Sequence, residues 1–381
     1  MRSENAEGSG NHTGLRSDSL PSIVRALEAL PELQSLISPK LIRLAVVVDA
    51  SVINAELRWR LARRRRPENR SALFEAVDAG VVTLVAPLFL AAEIEEHLVE
   101  IAAQTGSSVE AAMVEWKAIR PKLRFYAPPY GTPVSNVVDP DDIAYVDSSK
   151  ALGLPVYTRD AHFQTMGAPA VLDRIDLELR DHARGITMTL TFTVGSAAAL
   201  AGIFAILRQA LVGVRGLLGA FSSLPDAVQA LLIGGVLVAL ACPASRAKLS
   251  ALWNRILAKA ADFMAPLGEM ALASISAYAA AEAQSEAARR IVTRAMPAGD
   301  AKHTARVLVR RACFLSSEPL SVAEITQRLT QYGYVSRAKN HAAYIRRILR
   351  ESDEFLEIGL GRWTFRPLPK SEAPHMSPGA G

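Results

Sequence analysis

Up to about residue 173, short runs of aliphatic and β-branched residues alternate with longer stretches whose apolar positions recur every three or four residues. Val46-Val47-Val48, leading into Asp49-Ala50-Ser51-Val52-Ile53, has no polar face of its own and reads as a strand buried on both sides. Val81-Val82-Thr83-Leu84-Val85-Ala86 and Leu154-Pro155-Val156-Tyr157-Thr158 repeat that pattern. Helical spacing falls between them, at 71–79, from Pro87 to Ala103, at about 107–118, and from Asp139 to near Gly153. A Pro-containing strand and loop is expected over 123–138. Strands alternating with helices predict an α/β domain of three layers around a parallel sheet. Ahead of it, Ile23, Leu27, Leu30, Leu33 and Leu36 have helical spacing, split by Pro31 into short helices.

The pattern changes at residue 185. No Asp, Glu, Lys or Arg occurs from Gly185 to Leu207, 23 positions, or from Ala227 to Ser245, 19 positions. Both runs reach the roughly 20 residues that cross a bilayer as a helix. Arg180 and Arg184 before the pair, and Arg246, Lys248 and Arg255 after it, place both flanks in the cytoplasm by the positive-inside rule. The competing expectation is a buried helical bundle or an oligomerisation hairpin. Thr187, Thr189, Thr191 and Thr193 alternate with apolar residues like the start of a strand, Arg208 and Arg215 interrupt the connecting segment, and Pro243 falls in the shorter run. Residues 246–299 read as an Ala-rich helical linker that ends at Pro297-Ala298-Gly299. Residues 300–367 form a compact basic unit with three helical patterns, about 301–315, Val322 to Tyr332 and Ala338 to Glu351. Ser321 with Glu324 three residues on makes a capping box for the second. Phe355–Ile358 and Arg362–Phe365, joined by Gly359-Leu360-Gly361, read as a β-hairpin. Residues 1–19 and 368–381 are polar and expected to be disordered.

Composition adds three points. A mean hydropathy of +0.16 is high for a chain with 43 Lys and Arg, which concentrates the apolar residues in the two charge-free runs. A net charge of +5 and a pI of about 9.3 fit a nucleic-acid or anionic-membrane partner. Cys242 and Cys313 form neither a disulfide framework nor a metal spacing, so a reducing cytoplasm is expected, and no apolar leader of a cleaved signal opens the chain. The run Arg63-Arg64-Arg65-Arg66 suits either phosphate contact or a solvated helix end.

Four acids each follow or open a regular element: Asp49 after the first strand, Glu93 after the second, Asp142 at a helix start, and Asp160 after a later strand. The carboxyl ends of parallel strands open on one edge of a sheet, so these side chains can converge there. Clustered carboxylates repel unless a cation neutralises them, and hard oxygen ligands without His or Cys suit Mg²⁺ or Mn²⁺. Such a site supports metal-assisted attack of water on a phosphodiester.

Residues 44–173 resemble the PIN-domain ribonucleases. The matching stretches are Val47-Val48-Asp49-Ala50-Ser51-Val52-Ile53, Ala92-Glu93-Ile94, Asp139-Pro140-Asp141-Asp142, and Tyr157-Thr158-Arg159-Asp160-Ala161-His162-Phe163. The resemblance implies a PIN-like domain over 20–180 and a Mg²⁺- or Mn²⁺-dependent endonuclease acting on RNA. Asp49, Glu93, Asp142 and Asp160 would then be the catalytic metal ligands. Thr158 would orient the last acid, Ser51 or Asn54 would hydrogen-bond the first, and Asp139 and Asp141 would be accessory. Glu96 competes with Glu93 for its place, and Asp147 departs from the small apolar residue usual at that point. From Pro319-Leu320-Ser321-Val322-Ala323-Glu324-Ile325 to Gly361-Arg362-Trp363-Thr364-Phe365 the chain resembles a HARE-type winged helix. Arg337, Lys339, Arg346, Arg347 and Arg350 lie on or just before its third helix, where they could meet phosphates. The function expected is a membrane-tethered ribonuclease, the alternative a non-catalytic membrane-anchored regulator or scaffold that binds nucleic acid. Candidate partners are RNA, a DNA or protein ligand of the winged helix, the membrane, an inhibitor protein and a second copy of the chain.

Overall fold

The computed structural model describes residues 19–28, 41–64, 66, 68–128, 137–192, 225, 275–297, 303–335, 338 and 340–366. They fall into two compact units, one drawn from 41–183 and from 287 onward, the other from the residues before 41 and from 184–286.

In the smaller unit, α1 is Leu20–Glu28, the first of the short helices expected ahead of the sheet. The larger unit is built on a parallel five-stranded sheet in the order β3-β2-β1-β4-β5, where β1 is Leu44–Val48, β2 Val82–Pro87, β3 Leu123–Tyr126, β4 Val156–Tyr157 and β5 Ala170–Val171. The absence of a polar face on Val46-Val47-Val48 now has its reason. β1 is central, flanked by β2 and β4, and these side chains are at most 3 % exposed.

Helices α2 (Ala50–Ala62) and α3 (Ala72–Asp78) link β1 to β2, and α4 (Phe89–Thr105) and α5 (Val109–Ile119) link β2 to β3. Ser71 and Ser108 cap α3 and α5 by accepting from the backbone N–H groups of Phe74 and Ala111. Helix α6 (Ile143–Leu152) then returns the chain across the sheet to β4, and the short α7 (His162–Thr165) leads to β5. The first three strands step outward in one direction, and β4 lands on the other side of β1. Right-handed crossovers therefore put α6 on the opposite face from α2 and α4. Consistent with this, α6 packs on β1, β2 and β4, while α2, α4 and α5 pack on one another. Within α2, Arg60 donates to Glu56 Oε1 at 2.7 Å, and Arg60 and Arg64 share the carboxylate of Glu115 on α5. Arg64 of the arginine run is thereby held by an internal acid.

Residues 176–192 form α8 and 275–295 form α9. In the smaller unit, a Cβ at Gly185 would stand 2.7 Å from Ser285 Cβ and 2.8 Å from Ala281 O, so only glycine permits this helix–helix approach. Phe192 and Tyr278 add a ring contact at 5.5 Å. Thr187, Thr189 and Thr191 are helical, which corrects the strand-like reading of their alternation: a helix buries Thr187 and Thr189 by packing, without needing a sheet face. Apart from residues 185–192 and Pro225, the two apolar runs lie outside the described residues, as do 1–18 and 367–381. Among the described residues no helix is long and apolar enough to cross a membrane.

After α9 come α10 (Ala305–Phe314), β6 (Leu320–Ser321), α11 (Val322–Gln331), α12 (His341–Arg350), β7 (Phe355–Glu357) and β8 (Arg362–Phe365). The three strands form an antiparallel sheet in the order β6-β8-β7. Leu308, Ile325, Leu329, Ile345, Leu349 and Trp363 are among the buried residues of its core. The capping box is present: Ser321 N–H donates to Glu324 Oε2 at 2.6 Å, and Glu324 N–H to Ser321 Oγ at 3.3 Å.

This helical segment belongs to the same compact unit as the parallel sheet. Arg310 forks onto Glu354 at 2.8 and 2.9 Å and donates to Ala151 O at 3.0 Å, while Arg311 donates to Gly153 O at 3.4 Å. Cations thus satisfy orphan carbonyls at the negative end of the α6 dipole. On the sheet edge, Arg124 of β3 donates to Leu315 O and Ser316 O at 2.6 and 2.8 Å, and Tyr126 meets the Phe314 ring edge-to-face at 5.1 Å. Gly153 caps α6 at φ +61°, and a Cβ there would stand 3.0 Å from both His303 and Val307. Gly153→Ala should therefore lower the unfolding free energy of the full chain by about 1–3 kcal/mol in a urea titration, from left-handed strain and loss of this fit. A midpoint unchanged at constant m-value would contradict that account.

Candidate functional site

The strand order reverses between β1 and β4, and in open α/β sheets that switch point leaves a crevice at the carboxyl ends of the strands. Asp49 stands there, directly after β1 and at the N-cap position of α2, and is only 6 % exposed. A carboxylate so far from water needs donors in its place. Its Oδ2 accepts from Ser51 Oγ and, at 2.7 Å, from Thr158 Oγ1, which lies just past β4. Ser51 Oγ in turn accepts from Arg159 N–H at 3.3 Å, and Thr158 Oγ1 from Asp160 N–H at 2.9 Å. Two hydroxyls thus tie the ends of β1 and β4 around one acid.

Thr158 was expected to orient the last acid. Its hydroxyl proton instead goes to the first acid, and it serves Asp160 through that residue's backbone. Asp160 Oδ1 accepts from His162 N–H at 2.9 Å and lies 3.1 Å from His162 Nδ1. Of the two alternatives for holding Asp49, Ser51 does so and Asn54 does not. Asn54 lies five residues along α2, more than a third of a turn away round the axis, and its buried Oδ1 accepts no hydrogen bond among the described residues.

Glu93 sits in the first turns of α4 and accepts from the Tyr145 hydroxyl at 2.5 Å. Burial, with added repulsion from Asp49 and Asp141, pushes its pKa up to about 7 against the bond from Tyr145. Glu96 is exposed, and Glu95 accepts from Trp116 Nε1 at 3.2 Å, so Glu93 is the α4 acid turned to the crevice. Asp142 holds the N-cap position of α6 without a side-chain cap bond. Burial and then the charges of Asp49, Asp139 and Asp160 push it up to about 6. Asp139 and Asp141 are exposed, with Asp141 N–H donating to Asp139 Oδ1 at 3.0 Å. Helix α6 starts at Ile143, so the acids at 139 and 141 lie in the turn before it. Asp147 is buried on α6 at 4 % exposure.

The charge of Asp49 therefore acts on both Glu93 and Asp142, and that of Asp160 on Asp142. Among the described residues, however, no three carboxylate, imidazole or thiol groups stand close enough to hold a metal ion as they are placed. Tyr145 was not singled out from the sequence. The signal was there, because a residue three positions after Asp142 shares its helix face.

On the C-terminal unit, Arg346, Arg347 and Arg350 are exposed on α12, with Arg347 3.5 Å from Glu351, while Ile345 is in the core. Arg337 and Lys339 lie outside the described residues. No family model, curated protein or solved structure matches this chain.

The raised Glu93 carries a testable sign. Between its ordinary value near 4.5 and about 7, the folded chain holds a proton that the unfolded chain releases. The stability tied to Glu93 is thus greatest below that window and falls as pH rises through it. In EDTA, Glu93→Gln should gain melting temperature relative to wild type between about pH 5 and 8, by roughly 2 °C or more. A difference that stays constant across this range would remove Glu93 from the crevice electrostatics.

Proposed function

We propose that the chain is a metal-dependent endoribonuclease of the PIN type, with a C-terminal winged helix that binds nucleic acid or a protein partner. The observation that carries the reading is the gathering of Asp49, Glu93, Asp142 and Asp160, from four separate segments, at the strand-order reversal. There burial raises the pKa of Glu93 and Asp142, and the charge of Asp49 adds to it, with Asp141 on Glu93 and with Asp139 and Asp160 on Asp142. Carboxylates arranged to repel one another fit a divalent cation better than they fit a purely structural role. All four offer hard oxygen donors, which suits Mg²⁺ or Mn²⁺. Drawn closer together than they stand in this structure, they would hold it, and when bound it would supply positive charge for the phosphodiester and a lowered pKa for attacking water.

The chain's own groups divide the remaining work. Ser51 and Thr158 fix the orientation of Asp49 and leave its Oδ1 free of them. Tyr145 orients Glu93 by donating its hydroxyl to Oε2. The exposed Arg346, Arg347 and Arg350 give the C-terminal unit a cationic helix face. The charge-free runs 185–207 and 227–245 are the proposed membrane tether.

With Mn²⁺, the full chain should cleave a single-stranded RNA, and Asp49→Asn should slow cleavage by about 100-fold or more. Thr158→Val should cost about 10- to 100-fold through loss of orientation. RNA that is bound yet left intact with Mg²⁺, Mn²⁺ and Co²⁺ would sink the nuclease reading and leave the scaffold. For the tether, the full chain should stay in the membrane pellet after a carbonate wash; release into the supernatant rejects it.

A further inference from the structure

We propose that Arg159 and Arg174 form a phosphate clamp that holds the substrate strand on the β5 side of the carboxylate crevice. The identity of that strand as RNA rests on the function proposed above; the clamp itself rests on where these two guanidiniums stand.

Because β1, β2, β4 and β5 run parallel, their carboxyl ends share one edge. Arg159 is the second residue after β4, and Arg174 the third after β5. The backbone of Arg159 is fixed at the crevice, since its N–H donates to the hydroxyl that bonds Asp49, while its side chain is exposed. Arg174 is exposed as well. β4 and β5 pair side by side, so the residues just past their ends are neighbours, and the Tyr157 hydroxyl at the end of β4 donates to Asp176 at 2.7 Å. The edge thus carries carboxylates after β2, β1 and β4, and the exposed guanidiniums after β4 and β5 alternate with Asp160, Asp173 and Asp176.

Availability separates these two arginines from several others of the same unit. Arg60 and Arg64 are spent on Glu115, Arg124 on the carbonyls of Leu315 and Ser316, and Arg310 on Glu354. Neither Arg159 nor Arg174 has an ion pair with a carboxylate among the described residues. A polyanion approaching four carboxylates meets repulsion, so a productive approach needs cations beside them. Exposed guanidiniums that can fork onto phosphate oxygens meet that need.

The test is fluorescence anisotropy of the full chain with a labelled 12-nucleotide single-stranded RNA in EDTA, over a range of salt. Arg159→Gln and Arg174→Gln should each weaken binding about five- to tenfold and reduce the slope of log Kd against log salt by about 0.7. Lysine at either position should restore most of the slope, because a point charge releases the same counterion. In cleavage with Mn²⁺, the loss should fall on KM, with kcat within about twofold of wild type. An unchanged Kd and slope in both glutamine variants overturns the clamp, as does a loss confined to kcat. The two proposals separate cleanly. Altered slopes in a chain that never cleaves would keep the clamp and reject the nuclease, whereas cleavage with unaltered slopes would do the reverse.

Discussion

One buried carboxylate, held from two strands at once, is the contact on which the crevice depends. Asp49 ends the central strand and has lost nearly all contact with water. An ion in that position is tolerable only if hydrogen bonds replace its hydration. Ser51 comes from the first turn of the helix that Asp49 itself opens, so local geometry supplies that bond. Thr158 is 109 positions away, and its bond exists only because β4 pairs beside β1. That pairing is where the strand order reverses, so the same event that opens the crevice also provides the second donor.

Charge crowding follows from this arrangement. Asp142 stands at the start of α6, the helix that makes the return crossing, and Asp160 follows the strand to which α6 leads. Both are delivered to Asp49 by the reversal itself. Glu93 arrives from the other direction, on the helix after β2, and its phenolic partner Tyr145 lies on α6. Glu93 and Asp142 are raised first by burial and then by this crowding, which topology produces and which makes the crevice receptive to positive charge.

Helix α6 also joins the crevice to the C-terminal segment. Ten residues span about 15 Å, with Asp142 at one end and the carbonyls of Ala151 and Gly153 at the other. Arg310 and Arg311 hold those carbonyls, and the glycine between helix and strand admits His303 and Val307 at close range. The arginines of this basic chain are consequently sorted by burial. Those at packing contacts are consumed by carbonyls and acids, and those just past β4 and β5 and on α12 are left facing solvent.

Much of this was legible in the chain alone, wherever the physics is local. Apolar runs mark β1, β2 and β4 because strands covered on both faces need no polar side, and the 3.6-residue spacing marks α3, α4 and α5 within a few residues. The Ser321–Glu324 capping box closes over four consecutive residues, so its sequence suffices. The four acids were also visible, since each borders a regular element. Other features depend on residues far apart in the chain. Strand order, and with it the switch point, is set by which strands pair. The choice of Ser51 over Asn54, the hydroxyl of Thr158 turned to Asp49 in place of Asp160, and the loss of Arg64 to Glu115 depend on directions that only packing assigns. The alternating threonines from 187 to 191 show the same limit, because alternation describes a strand only where a sheet is there to receive it, and here a second helix is. Periodicity and composition thus determined the elements and the residue types of the crevice. The tertiary structure decided which of them meet, because a hydrogen bond or a charge repulsion acts over a few ångströms whatever the separation in sequence.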